Sequence, residues 1–280
     1  MKQNICIRND LFGFHTTPFT GAPAEPFSDE RRTRCRRKAD AFMQRRGFAF
    51  VTGGPGFGKT LFVNELCSSQ NSRTTHMMYI PFAMFGDTDM LREICGQIGI
   101  EPAYRMGAMI RNIQERTREM QPVNPILVID EVQLIGQETL DMLRILSNFK
   151  FESANLFTVI MAGDESFRHR LQLRINEPLR QRVTLFITLG PLSRQDAAAY
   201  IQQQTCIAGA HQQVFDEQAV NLIFDITGGI PRLINNLAGA ALEEASSEED
   251  HAVELRHVEQ AGTTCLPPSK ETPRDDTPAL

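Results

Sequence analysis

Short unbroken apolar runs alternate along this chain with segments whose apolar residues recur at helical spacing. The runs are Gly47–Thr52 (GFAFVT), His76–Phe82 (HMMYIPF), Pro125–Asp130 (PILVID), Leu156–Gly163 (LFTVIMAG) and Val183–Leu189 (VTLFITL). Runs this short predict buried strands rather than helices. Between them, a helix is predicted from about Ser28, with Ser28 as its N-cap. A second covers KTLFVNELCSS, with Leu61, Phe62 and Leu66 on one side. Two more fall near Asp87–Ile98 and Met106–Met120, and another covers QETLDMLRILSNF, with Leu140, Leu143 and Leu146 on one face. Strand and helix alternating through short links imply parallel strands with crossover helices, an α/β fold.

The pattern changes after Pro191. SRQDAAAYIQQQTC, DEQAVNLIFDITG and PRLINNLAGAALEEAS are three helix-period segments opened by Ser, Asp and Pro, with no strand among them. The expected organisation is an irregular N-terminal arm over residues 1–26, an α/β unit over 27–191, a helical subdomain over 192–262, and a disordered Pro- and charge-rich tail over 263–280.

Composition narrows the class. Of 280 residues, 41% are hydrophobic and 22% charged, as in an ordinary globular protein. No window approaches the ~18 apolar residues of a membrane helix, and the N-terminus lacks the apolar centre of a signal peptide. The six cysteines are scattered without CxxC spacing, which points to reduced thiols and a cytoplasmic location. A net charge of −5 argues against coating nucleic acid by charge alone. Locally, though, eight basic residues face three acidic ones between Asp29 and Arg46. Either this is a solvated helix face, or Arg31, Arg34, Arg37 and Lys38 meet phosphates.

Chemistry concentrates in the link after the first strand. Gly53-Gly54-Pro55-Gly56-Phe57-Gly58-Lys59-Thr60 matches G-x-x-x-x-G-K-[ST] between a strand and a helix. Such a loop turns successive N–H groups toward phosphate oxygens, and the helix that continues through Leu61 adds the positive end of its dipole. Lys59 then faces the β- and γ-phosphates, and the Thr60 hydroxyl faces Mg²⁺. The ILVIDE run delivers Asp130 to a strand end, where it holds the cation, and Glu131 one step further, where it polarises water. Two carboxylates there need a cation or a water to activate. Arg180 and Arg182 precede the last strand. An arginine there reaches a neighbouring subunit's γ-phosphate, or else closes an ion pair inside the chain. Arg232, in the first turn of the PRLINN helix, reports the nucleotide state to the helical subdomain or is a surface arginine.

In this order, and with the helical lid, these pieces resemble an AAA+ ATPase. Within that group the chain resembles the ExeA-like and TniB/TnsC-like ATPases that accompany transposases. The resemblance runs from about Leu11 to Ala261 and is carried by LFGFHTTPF, RRGFAFVTGGPGFGKT, PILVIDEVQLI, LRILSNFKFES, EPLRQRV and TGGIPRLINNLAGAAL. It implies a parallel sheet flanked by helices, with a helical lid. It implies Lys59 and Thr60 as Walker A, Asp130 and Glu131 as Walker B, Arg182 as arginine finger, Arg232 as sensor 2, ATP and Mg²⁺ as ligands, and rings or filaments of one chain. Two positions depart from the family pattern. Many relatives carry Glu-Ala-His where this chain has Glu131-Val132-Gln133, and many carry Gln where Asp164 stands as sensor 1.

The resemblance therefore implies an ATPase, slow and stimulated by DNA or a partner, that assembles on duplex DNA and recruits a transposase, with a target-selection protein as a further partner. Grip on the DNA backbone is assigned to the Arg-rich helix, to Phe85 in the loop Met84-Phe85-Gly86, and to Arg105 and Arg111. Two alternatives stand beside it: the secretion branch of the family, which helps build an envelope complex, and an ATP-bound scaffold with little turnover. Secretion-branch relatives extend into a membrane segment and a cell-wall-binding domain. This sequence runs to Leu280 without them, so the expectation is the transposition branch.

Overall fold

The computed structural model describes residues 7–20, 26–43, 45–80, 86–147 and 155–265. In chain order the helices and strands are α1 (Asn9–Phe12), α2 (Glu30–Met43), β1 (Phe48–Thr52), α3 (Lys59–Ser68), β2 (Thr75–Ile80), α4 (Asp87–Gln97), α5 (Met106–Glu119) and β3 (Asn124–Ile129). They continue with α6 (Gln137–Leu146), β4 (Thr158–Gly163), α7 (Glu165–Gln172), α8 (Glu177–Arg180), β5 (Val183–Thr188), α9 (Arg194–Ala208), α10 (Glu217–Thr227), α11 (Pro231–Ser247) and α12 (Leu255–Cys265). Two compact units result. One is Ser28–Gly190, and the other joins the N-terminal residues up to Phe27 with those from Pro191 onward.

The first unit is a three-layer sandwich. Its five strands lie in the order β2-β3-β4-β1-β5 and are all parallel. Period-2 geometry sends alternate residues to opposite faces. Phe48 and Phe50 of β1, Leu127 and Ile129 of β3, and Val159 and Met161 of β4 share one core with α4 to α7. Ala49, Val51, Ile126, Val128, Ile160 and Ala162 share the other with α2 and α3. With both faces covered, the inner strands β1, β3 and β4 are buried almost throughout and read as unbroken apolar runs, whereas β2 and β5 at the edges leave residues such as Met77 and Phe186 exposed.

Local differences from expectation have local causes. The cap of α2 is Asp29, whose carboxylate accepts the Arg32 N–H at 2.5 Å, whereas Ser28 bonds the Thr33 hydroxyl. On α3 the buried face is Phe62, Val63 and Leu66, and Leu61 is only half-buried. The HMMYIPF strand ends at Ile80, with Pro81 and Phe82 outside the described residues. The stretch between β4 and β5, read as no element from sequence, holds α7 and α8, each only one or two turns long.

The second unit packs four helices and the N-terminal residues around one core. Ser193 caps α9 by accepting the Asp196 N–H, and Asp216 caps α10 by accepting that of Ala219. Pro231 occupies the first turn of α11. The fourth helix, α12, was not expected. It reaches Cys265, past the boundary at 263 where the tail was placed. It follows a parallel bridge between Phe215 and Val253. Its start is fixed by His257, whose Nδ1 accepts the Glu254 N–H at 3.0 Å. The His257 Nε2 proton then faces Asp250 and Glu248, which Arg256 also pairs, so these acids already have a cation.

Of the described residues 7–20, four are helical and the rest irregular, and the stretch is packed into the second unit. Residues 9–12 form a helical turn, and Phe12, Phe14 and Phe19 are buried in the helical core. The His15 N–H bonds the Ala208 carbonyl at 2.7 Å, and the Arg8 N–H bonds the Ser246 hydroxyl at 2.9 Å. Each buried phenylalanine contributes about 1.5–3 kcal/mol.

Candidate active site

In a parallel sheet all carboxyl ends lie on one edge. Here the loop after β1, Asp130 after β3 and Asp164 after β4 emerge there together. Gly53 to Gly58 form the loop, and α3 begins at Lys59. Gly58 sits in the left-handed region at φ 77°. A Cβ on Gly53 would meet the Leu189 carbonyl at 2.8 Å, and one on Gly54 the Phe57 ring at 3.0 Å. The N-terminus of α3 has no side-chain cap and no acidic residue in its first turn. Its leading N–H groups and dipole are thus left for an external anion. The Lys59 ammonium is buried beside them, donating to the Gly53 and Gly54 carbonyls at 3.0 and 3.2 Å. This donor set fits a polyphosphate.

Asp130 is the junction of the site. Although β4 lies between β1 and β3, the Thr60 hydroxyl donates to Asp130 Oδ2 at 2.7 Å. The Tyr79 hydroxyl donates to the same oxygen at 3.1 Å, and the Glu131 N–H donates to Oδ1 at 2.9 Å. Asp130 is 5% exposed. A hydroxyl and a buried carboxylate in contact are hard oxygen donors of the kind Mg²⁺ takes. Burial first, then the nearby Asp130, pushes the Tyr79 phenol up to about 12, so it remains a donor.

Glu131 adopts a left-handed backbone, φ 50°, as the chain turns out of β3. Its carboxylate accepts from the Gln133 amide, whose oxygen in turn accepts the Asp164 N–H at 3.3 Å. This crossing over the end of β4 requires Gly163: a Cβ there would lie 2.6 Å from Val132. Asp164 caps α7, taking the Ser166 N–H at 2.9 Å and the Phe167 N–H at 3.3 Å. Burial raises the Asp164 carboxyl, but hydrogen bonds from Ser166 and the α7 backbone, with Lys59 nearby, outweigh it and leave the pKa lowered. The expected sensor 1 is thus a helix cap near the phosphate cradle.

The arginines separate into engaged and exposed ones. Arg182 donates to the Ser147 hydroxyl at 2.8 Å and the Arg144 carbonyl at 3.2 Å, at the end of α6. Burial, then the nearby Arg144, lowers its pKa. Arg180 is exposed and paired with Glu177 one turn away. Arg232 is exposed in the first turn of α11, in the second unit. On α2, Arg32 pairs with Glu65 and lies over the Phe62 ring, while Arg36 bonds Asp40 and Ser69. That leaves Arg31, Arg34, Arg37 and Lys38 exposed, with Arg34 paired to Glu30 and the Arg31 guanidinium against Gly190. Arg105 caps α5 without a side-chain bond, and Arg111 is exposed on that helix. Phe85 and Met84 lie outside the described residues.

The sequence reading missed Tyr79 and gave Gln133 only as a departure from a family pattern. Neither carries a spacing motif. Each acts through a contact across the sheet edge, and only the β2–β3 pairing, Tyr79 beside Val128, would have pointed to Tyr79.

Sheet order, phosphate cradle and the Asp130–Glu131 pair together define the AAA+ P-loop NTPase fold. A family model described as AAA domain matches residues 42–171. The chain is 29% identical over 213 residues to general secretion pathway protein A of Aeromonas hydrophila, a match covering 74% of this chain and 38% of that protein. It therefore spans well under half the length of this curated relative. Among solved structures it is similar to Cdc6p from Pyrobaculum aerophilum, with TM-score 0.71, 16% identity, and coverage of 93% of this chain and 72% of that one. The Aeropyrum pernix ORC1 protein, solved in complex with DNA, gives TM-score 0.65 at 17% identity, covering 85% and 66%. The Thermotoga maritima RuvB branch migration motor gives 0.59 at 14%, covering 88% and 72%.

Proposed function

We propose that this chain is a magnesium-dependent ATPase whose triphosphate-bound form self-assembles, and that it serves the building of an envelope secretion complex. The single observation that carries the enzymatic reading is the 2.7 Å bond from Thr60 to Asp130 beside the buried Lys59 ammonium. Lys59 exchanges its loop carbonyls for phosphate oxygens, and the first N–H groups of α3 hold the same phosphates. Bound Mg²⁺ supplies charge neutralisation at the transferring phosphoryl group. Asp130 keeps the Thr60 hydroxyl aimed at the cation. Glu131, oriented by Gln133, polarises the attacking water and takes its proton. Arg182 of an adjacent copy would complete the site on leaving its bonds at the end of α6.

Secretion is placed first because the curated relative, over 74% of this chain, is a secretion-pathway protein. A second reading, regulation of DNA transposition, is favoured by the exposed Arg31, Arg34, Arg37 and Lys38 along α2 and by the motifs the sequence shares with transposition ATPases. The ORC1 relative in fold is solved with DNA, which is compatible with that reading.

ATP hydrolysis measured with and without Mg²⁺, and with and without random-sequence duplex DNA, tests both. Magnesium-dependent turnover indifferent to DNA supports the secretion reading. Stimulation of about tenfold or more, with ATP-dependent duplex binding that weakens steeply with salt, would transfer the assignment to transposition. No turnover under any condition would leave an ATP-bound scaffold and overturn the enzymatic reading.

A further inference from the structure

We infer that Tyr79 is a positioning residue for the cation site: its hydroxyl fixes the rotation of the Asp130 carboxylate, and Gln97 at the end of α4 holds Tyr79 in place to do so. The inference rests on the nucleotide reading above and goes beyond it.

The geometry has three parts. First, Asp130 Oδ2 accepts two hydroxyls, Thr60 at 2.7 Å and Tyr79 at 3.1 Å, while Oδ1 accepts a backbone N–H at 2.9 Å. With donors on both oxygens, the carboxylate is locked about its terminal torsion, which is otherwise broad. The Thr60 hydroxyl spends its one proton on Asp130, so the direction of its lone pairs follows the direction of that carboxylate. Tyr79 therefore sets, through Asp130, where the Thr60 oxygen points.

Second, Tyr79 lies on β2, an edge strand of the sheet. An edge residue's outward N–H and C=O have no strand partner. Here the Gln97 side-chain amide replaces one. Its oxygen accepts the Tyr79 N–H at 2.9 Å, and its nitrogen donates to the Tyr79 carbonyl at 3.0 Å. Gln97 is held in turn by Glu93 at 2.7 Å, and its own carbonyl meets His76 at 2.9 Å. A single side chain thus pairs both backbone groups of the residue that touches the cation ligand.

Third, Tyr79 does not touch the phosphate cradle in any bond described, so its effect falls on the cation rather than the nucleotide. Partners that orient a metal ligand typically change metal affinity by about 10–100-fold. With the Thr60 bond intact, the lower end of that range is expected.

The test is Tyr79→Phe, which deletes the hydroxyl and keeps the ring. Mn²⁺ affinity of the protein saturated with ADP is read by electron paramagnetic resonance, and ADP affinity is read separately in EDTA. The expected result is Mn²⁺ binding about tenfold weaker with ADP affinity in EDTA unchanged, and an ATPase whose half-saturating Mg²⁺ rises while kcat at saturating Mg²⁺ stays within about twofold. Gln97→Met should shift Mn²⁺ affinity in the same direction by a smaller factor. Equal Mn²⁺ affinity in Tyr79→Phe and wild type overturns the inference and leaves the nucleotide reading standing. Loss of ADP affinity in EDTA to the same extent as Mn²⁺ affinity also overturns it, because the tyrosine would then only support the fold. Wild-type protein that binds ADP in EDTA but holds no Mn²⁺ beyond what ADP itself binds overturns the inference alone, whereas wild-type protein that binds no ADP removes the nucleotide reading and the inference with it.

Discussion

Lys59 at the start of α3 and Glu131 at the exit of β3 carry different proposed roles, so their loss should separate binding from chemistry. The Lys59 ammonium is held by two carbonyls at 3.0 and 3.2 Å, with α3 starting at its own position. Lys59→Ala removes the one side-chain cation built into the loop, and ATP affinity should fall roughly 10- to 100-fold, the value of one or two charge-assisted hydrogen bonds. A fluorescent-nucleotide titration reads it, and unchanged affinity would remove Lys59 from the cradle. Glu131→Gln keeps shape and the Gln133 contact but cannot take a proton. Nucleotide affinity should hold while turnover drops by about 10²–10⁴. Equal turnover in variant and wild type would take the role of base away from Glu131. The places of Lys59 at a loop end and Glu131 at a strand end were legible because such a loop and strand end impose fixed spacings that sequence preserves. Tyr79 and Gln133 were not, because each meets its carboxylate through the packing of neighbouring segments, and any of several side chains at those positions gives the same periodicity. Asp164 was legible as a position, and the structure adds a local role there as the cap of α7. Its hydrogen bonds to Ser166 and Phe167 are those of an ordinary helix cap, formed at the same strand end where a sensor was expected.

Among the elements, the inner strands β1, β3 and β4 were the clearest because both of their faces are covered, and α9 to α11 because Ser193, Asp216 and Pro231 mark their starts. α12 was missed since its start is set by a histidine, His257, reaching back to the Glu254 N–H, a cap with no common sequence sign. The N-terminal helix was missed because four residues give no period. Phe12 at its end, and Phe14 and Phe19 beyond it, are legible only once the helices they pack on exist. The Gly228-Gly229 turn before α11 shows what one element start demands. Gly229 lies at φ 75°, and a Cβ there would sit 2.2 Å from the Leu192 carbonyl oxygen. The Leu192 N–H bonds back to the Gly229 carbonyl at 2.9 Å, so the two segments close on each other without room for a side chain. Gly229→Ala should destabilise the helical unit by about 2 kcal/mol or more, from the left-handed backbone and the clash together. Amide exchange along α11 reads this unit by itself, and protection equal to wild type would show that the contact opens freely.

At the scale of the whole molecule the question is whether one copy completes another's site. Arg182 is the residue to test, because the structure already gives it a role within its own chain, where it holds the end of α6 through Arg144 and Ser147. If it acts only there, Arg182→Ala loosens α6 in each subunit and no mixture can repair it. If it acts on a neighbour, an Arg182→Ala subunit still has an intact base and cradle, and a Glu131→Gln subunit still has an intact finger. Each is inactive alone, but an interface that joins the finger of the second to the base of the first is whole. In a random equal mixture about a quarter of interfaces have that pairing, so about a quarter of wild-type turnover should return. The ATPase should also rise more than linearly with protein concentration, since the complete site exists only between copies. Arg180→Ala is the companion variant. Arg180 is exposed and bonded only to Glu177 one turn away among the contacts described, so it can leave without disturbing α6. Recovery in the Arg182→Ala mixture and normal turnover in Arg180→Ala place the finger at Arg182. No recovery with Arg182→Ala but recovery with an inactive Arg180→Ala moves it to Arg180. Turnover strictly proportional to concentration, with neither mixture recovering, would make each copy self-sufficient and end the case for a site shared between subunits.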